Sequence, residues 1–187
     1  MAHTTLSKKL SVGAAVATIV LAASVRANAH DHDDHEGNCR DYSGPFSSVL
    51  VPPPTCTSPI GLCTHGLLGG SFPADYDFTF ETLTWAGDQN DPTKFVYSGH
   101  SIVTPKSGHG VMYTADTGVI HIPLDNSPAP FVTTAVVQSG TKRYTHVNGQ
   151  FVASGNLDFS TGDAIGSFTA LLCHGHGDHD DHDHDDD

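Results

Sequence analysis

Histidine and aspartate alternate in two short segments, one near each end of the chain, and these segments hold the residues best suited to chemistry. Imidazole nitrogen is a preferred ligand of Zn²⁺, Cu²⁺ and Ni²⁺, and carboxylates add oxygen ligands and a negative field. Ca²⁺ fits less well, because histidine is a poor ligand for it and no EF-hand spacing is present. We therefore predict binding of a divalent transition metal (Zn, Cu or Ni). The predicted ligands are His30, His32, His35, His174, His176, His179, His182 and His184.

The same two segments have the composition of solvated, low-complexity tails. We name them the N-terminal tail, residues 30–38, and the C-terminal tail, residues 174–187. An alternative interpretation is that they only keep the protein in solution. Either way, we expect the folded domain to lie between them, over residues 39–173.

The net charge of the chain is −13 with histidine neutral, and most of the acidity lies in the tails. Nucleic acid and anionic membrane surfaces would be repelled by such a charge, so we exclude both as partners. Cations are favoured instead. The domain between the tails has a charge that is ordinary for a soluble protein.

The first 29 residues predict a secretory signal peptide. Lys8 and Lys9 precede an apolar run over residues 10–23, and Ala27-Asn28-Ala29 has the small residues of a cleavage site. The run is short for a membrane span, although a retained N-terminal anchor is the alternative. Cleavage after Ala29 would place the mature protein outside the cytoplasm, in the extracellular space or the periplasm. No later segment predicts a membrane span.

Four cysteines follow the predicted signal peptide, and an even number in an exported chain indicates disulfides. Cys56 and Cys63 have six residues between them and lack the paired spacing of a structural zinc site. Three pairings are possible. We prefer Cys56–Cys63, which would close a local turn, together with Cys39–Cys173, which would join the two ends of the domain.

The pattern between the tails is that of β-strands. Tyr76, Phe78 and Phe80 alternate with polar residues, as in a strand with one buried face. Residues 40–57 are rich in proline and serine and predict an extended lead-in. A hairpin turn is predicted at Asp116-Thr117. Further strands are predicted over 95–103, 131–138, 149–159 and 164–173, with Phe95, Tyr97 and Val103 on one face of their strand.

Short strands separated by turns rich in Gly, Pro, Asn and Asp predict an all-β fold, a single antiparallel barrel or sandwich. No catalytic motif accompanies them: a G-x-S-x-G nucleophile turn, a Gly-rich phosphate loop and an H-E-x-x-H zinc motif are all missing from the sequence. We therefore predict no catalytic residue. The remaining histidines of the domain are His65, His100, His109, His121 and His146. His121 is expected on the solvent face of its strand, and His100 and His109 in a surface loop, although these two could pair as ligands.

Three segments resemble secreted bacterial proteins with an allene-oxide-cyclase-like barrel, an architecture that plant dirigent proteins share. They are the run from Cys56 to Gly66 followed by Gly69-Gly70, the segment 139–155, and a closing strand that ends in Cys173. Lys142 stands where the family pattern often has glycine. The resemblance implies an antiparallel barrel of about eight strands whose interior can hold a small apolar ligand. It does not imply the cyclase reaction.

The function that these observations favour is that of a secreted, non-enzymatic binding protein. Its barrel would bind a small hydrophobic ligand or a partner, and its tails would chelate transition metals. One alternative is a cyclase or dirigent-type enzyme acting on a hydrophobic substrate, which requires polar residues that face an open cavity. Another is a structural extracellular protein that oligomerises, which size-exclusion chromatography at several concentrations would reveal.

Zinc affinity should fall as the pH falls through the range in which histidine titrates, between about pH 8 and 5. The reason is that only neutral imidazole binds the metal, and the surrounding carboxylates favour its protonated form. Isothermal titration calorimetry across this range measures the effect. A zinc affinity that stays flat with pH would contradict the assignment of the ligands to histidine.

Overall fold

The computed structural model describes residues 38–175. The predicted signal peptide, the N-terminal tail up to residue 37 and the C-terminal tail from residue 176 lie outside the described residues. Of the eight predicted metal ligands, only His174 is within them. The other seven, together with the signal peptide, remain predictions.

The described chain is an antiparallel barrel of eight strands, with one turn of 3-10 helix between the sixth and seventh strands. Each strand pairs with the next along the chain, and the last pairs with the first, so the sheet is closed. The all-β prediction and the predicted number of strands are confirmed. The strands are β1 (Asn38–Leu50), β2 (Cys63–Leu68), β3 (Ala74–Trp85), β4 (Lys94–Pro105), β5 (Met112–His121), β6 (Ala129–Gly140), β7 (Val147–Asp158) and β8 (Asp163–His174); the helix spans Lys142–Tyr144.

Alternation along the strands divides the residues between the interior and the outer surface. In β4, Tyr97 and Val103 are buried while Val96 and Ile102 are exposed, as the sequence pattern predicted. Large aromatic rings fit inside because small residues face them. A Cβ added to Gly118 would lie 2.4 Å from the ring of Tyr97, which is opposite it on β4.

The barrel is closed by a long seam between its first and last strands. The register runs from Asn38 opposite His174 to Val49 opposite Asp163. A disulfide between Cys39 and Cys173 lies at one end of this seam. A second disulfide joins Cys56 and Cys63 across the loop before β2. Both preferred pairings are therefore confirmed.

Two strand predictions were wrong. Residues 40–50 belong to β1, the first barrel strand, although the prediction of an extended, non-helical segment holds there. Asp116-Thr117 is no turn, because β5 runs without interruption from Met112 to His121. Aspartate is rare inside strands, so it indicated a turn. Here its side chain points into the barrel, where hydroxyl groups bond to it.

Lys142 has a φ of 55°, in the left-handed region that glycine adopts at little cost. The lysine thus occupies a backbone conformation that favours glycine, at the start of the short helix.

Within the part of the chain that the structure describes, no helix is long and apolar enough to cross a membrane.

Candidate functional site

A cavity of about 100 Å³ lies inside the barrel. Aromatic and aliphatic side chains form most of its wall, and a small set of polar groups faces it from β1 to β6. Apolar walls with a few placed polar groups are typical of small-molecule sites. The lining residues include Phe46, Ser48, Thr64, Tyr76, Phe78, Phe80, Tyr97, Ser101, Thr114, Asp116, Phe131, Thr133, Ala135, Phe151, Ala153 and Phe168.

Asp116 is the most polar of these groups, and its side chain is held by two hydroxyls. Ser101 Oγ donates a hydrogen bond of 2.5 Å to Asp116 Oδ2, and Thr114 Oγ1 donates one of 2.5 Å to Oδ1. The register explains the arrangement, since Ser101 lies opposite Thr114 and Gly99 lies opposite Asp116. Asp116 and Thr114 are only 3% and 2% exposed, so the carboxyl is enclosed by protein.

Burial raises the pKa of Asp116 above its ordinary value. Removal from water disfavours the charged carboxylate, and this effect outweighs the hydrogen bonds from Ser101 and Thr114 and the charge of His100, which favour it. A carboxyl in this state can accept hydrogen bonds when ionised and donate one when protonated.

Two tyrosines add hydroxyl groups to the cavity wall. Burial raises the pKa of Tyr76 to about 12, while a hydrogen bond with Ser48 lowers it slightly. Burial also raises the pKa of Tyr97 to about 12, and its hydroxyl is hydrogen-bonded to that of Thr133. Both phenols therefore stay neutral at physiological pH.

Aromatic rings from β3 and β4 form one side of the cavity. The centroids of Phe78 and Phe80 are 4.4 Å apart, and that of Tyr97 lies 5.3 Å from Phe80 and 6.1 Å from Phe78. All three pairs are tilted, which suits the quadrupoles of the rings. Gly99 is opposite Asp116 in the pairing of β4 with β5. Because Gly99 has no side chain, the ring of Phe78 occupies the space where its Cβ would lie.

The five histidines between the tails lie on the outside of the barrel, three of them beside carboxylates. His65 Nδ1 is 2.7 Å from Asp77 Oδ1. His100 lies within β4, not in a loop, and its Nδ1 is 3.1 Å from Glu81 Oε1. The structure therefore does not bring His100 and His109 together as ligands. His121 bonds to Asp91 in the same way, and the remaining two, His109 and His146, are exposed.

The roots of the two tails lie side by side at one end of the barrel. Asn38, the last residue of the N-terminal tail, is opposite His174, the first of the C-terminal tail. Beyond it, the Gly175 N–H donates a hydrogen bond of 2.9 Å to the carbonyl of His146. Among the described residues alone, no group of three or more His, Cys, Asp or Glu side chains has a geometry that would hold a metal.

The barrel is similar to two solved structures of pterocarpan synthase dirigent proteins. One, GePTS1, is 16% identical over 78% of this chain and 90% of that chain, with a TM-score of 0.41. The other, PsPTS1, is 16% identical over 77% of this chain and all (100%) of that chain, with a TM-score of 0.44. Neither protein-family models nor curated proteins give a match. At these TM-scores the likeness carries no functional argument.

Sequence reasoning missed the site inside the barrel. Asp116 was taken as a turn residue, and Ser101 was given no role. One signal could have revealed them: β5 keeps its alternation through Thr114, Asp116 and Ile120. A carboxylate in register with inward-facing residues is unusual and indicates a functional position.

Replacing Asp116→Asn should change how stability depends on pH. Because the folded state raises the pKa of Asp116, its contribution to stability is present below the unfolded pKa of about 4 and is lost as the pH rises through the folded value. The variant lacks this loss. Its free energy of unfolding should be within about 1 kcal/mol of the parent at low pH and should exceed it increasingly as pH rises.

Urea unfolding at several pH values measures this difference. Asp125→Asn is the matched control, because a hydrogen bond from Ser127 lowers the pKa of Asp125 and the pH trend should be opposite. A parallel pH dependence in the parent and Asp116→Asn would show that Asp116 is not desolvated.

Proposed function

We propose that this protein is a secreted, non-enzymatic binding protein. Its barrel holds a small, largely apolar ligand, and its two tails chelate divalent transition metals. The observation that carries the first part is the cavity, whose apolar and aromatic wall surrounds one buried carboxyl at Asp116. Predicted secretion and the two disulfides agree with each other, since disulfides persist in oxidising compartments.

The wall of the cavity defines which molecules fit. Burial of an apolar ligand contributes about 25 cal/mol for each Å² removed from water. A few polar groups fix its orientation, here Asp116 with the hydroxyls of Tyr76 and Tyr97. The volume of about 100 Å³ admits a compact molecule without rearrangement. A larger ligand would have to displace aromatic side chains.

Filling the cavity should abolish binding of a small apolar probe. Ala135 lies opposite Asp116 and lines the cavity, so Ala135→Leu places three more carbons in the space. Ala115→Leu, on the outward face of the adjacent strand, is the matched control. We expect the parent and the control to bind benzene and the Ala135 variant to bind it about tenfold more weakly or not at all.

Ligand-observed NMR measures this binding, and native mass spectrometry of untagged protein would reveal a co-purified molecule. The thermal transition of each variant shows whether it folds, since overpacking costs about 1–3 kcal/mol. Absence of probe binding to the parent, or equal binding to all three proteins, would contradict a ligand cavity.

The metal-binding part is supported by the seam. Asn38 and His174 are opposite each other, and the disulfide of Cys39 and Cys173 fastens the strands next to them. Both tails therefore start from one point. Tethering raises the local concentration of their histidines relative to one another, so one metal can draw ligands from both tails.

Deleting the parts of the tails outside the strands, residues 30–37 and 176–187, should abolish zinc and copper binding and leave the thermal transition nearly unchanged, because the eight strands remain intact. Deleting only the N-terminal tail distinguishes metal sites that draw ligands from both tails from sites that each tail forms alone. Shared sites predict an affinity loss of about tenfold or more, since the tethering advantage is lost. Independent sites predict a lower stoichiometry at unchanged affinity. Full metal affinity in the protein without tails would place the ligands in the barrel and contradict the assignment.

A cyclase or dirigent-type reaction on a hydrophobic substrate is the second candidate function. The buried carboxyl of Asp116 favours it, because an acid with a raised pKa in an apolar site can donate a proton to a reacting group. Incubating a co-purified molecule with the protein discriminates the two. Conversion that Asp116→Asn slows about 100-fold or more would indicate an enzyme. Recovery of the unchanged molecule supports binding alone.

A further inference from the structure

We propose that the ligand of the barrel cavity is a small organic cation: an amine on a compact apolar group, whose ammonium binds the carboxylate of Asp116. This inference rests on the proposed ligand-binding function of the barrel and specifies the charge of the ligand. It follows from the buried carboxyl of Asp116, which no basic side chain of the cavity wall accompanies, and from the aromatic rings that line the same cavity.

The carboxyl of Asp116 has no cationic partner within the cavity. Of the described residues that line it, Asp116 is the only carboxylate, and none is Lys, Arg or His. Ser101 and Thr114 each use one acceptor position on the two oxygens, and a carboxylate has about four such positions. Room for further donors therefore remains, and the carboxyl when ionised is a buried charge that a cation would stabilise.

The surroundings of the carboxylate suit an organic cation better than a metal ion. Phe78, Phe80 and Tyr97 line the cavity, and the negative faces of such rings attract an ammonium group. A divalent metal ion prefers several carboxylate or carbonyl oxygens, and besides the one carboxylate of Asp116 the polar side chains of the wall are all hydroxyls. A neutral alcohol could donate one hydrogen bond to Asp116 but would leave its charge uncompensated.

Proton and ammonium compete for the same carboxylate, so amine affinity should rise with pH. The groups that face or influence Asp116 are Ser101, Tyr76 and Tyr97 from β3 and β4, Thr114 from its own strand, and the charge of His100 on the outer surface. Both tyrosines stay neutral up to about pH 12. Of these groups, only Asp116 and His100 can carry a charge that attracts or repels the amine below the pKa of the two tyrosines. His100→Gln separates the two.

The experiment compares cyclopentylamine with cyclopentanol, which have nearly the same shape and differ in charge. NMR titrations of the full chain follow the methyl signals of Ala135 and Ala153. Because both residues line the cavity, these signals report binding in the barrel and not binding of the amine to the acidic tails. At about pH 8 we expect the amine to bind at least about tenfold more tightly. In Asp116→Asn this preference should vanish while the alcohol still binds.

Each outcome decides between the two proposals. Equal affinity of the parent for amine and alcohol overturns the cationic ligand and leaves the ligand cavity intact. Binding of neither probe overturns both. Where Asp116→Asn fails to fold, the parent and His100→Gln still decide. Amine affinity that rises in both as the Asp116 carboxyl loses its proton supports the inference, and amine affinity that stays flat across that titration overturns it.

Discussion

Closure of the sheet by β1 and β8 is the constraint on which the rest of the structure depends. The pairing from Asn38–His174 to Val49–Asp163 leaves no free strand edge and forces alternate residues of every strand into one enclosed space. It also brings the two ends of the described chain together, next to the disulfide of Cys39 and Cys173. The cavity and the shared root of the tails are thus two consequences of one seam.

Inside that closed space, aromatic rings form much of the cavity wall, and Asp116 is the single carboxylate among the described residues that line it. A core chosen only for stability would replace Asp116 with an apolar residue, since hydroxyl partners offset the cost of burial only in part. Glycines such as Gly99 and Gly118 give the rings of neighbouring strands their room. Polar groups retained at a cost in stability are most readily understood as groups that meet a ligand.

The sequence predicted the strands wherever one face is apolar, as in Tyr76, Phe78 and Phe80, because alternation reports burial directly. Three cysteine pairings fitted the sequence, and the preferred one is the pairing that the structure has. The sequence did not predict the site. Asp116 carries the local preference of a turn residue, and only the long-range register with Ser101 on β4 shows that it lies inside a strand. Tertiary pairing of that kind is not encoded in local patterns.

The pKa of the Asp116 carboxyl in the ligand-free protein tests the central claim most directly. Carboxyl-carbon NMR on protein labelled at aspartate, assigned by comparison with Asp116→Asn, follows that one group through a pH titration. Our account predicts a titration midpoint above the ordinary aspartate value of about 3.9, because the carboxyl is enclosed in an apolar interior. A midpoint at or below that value would show a solvated carboxylate and contradict the account.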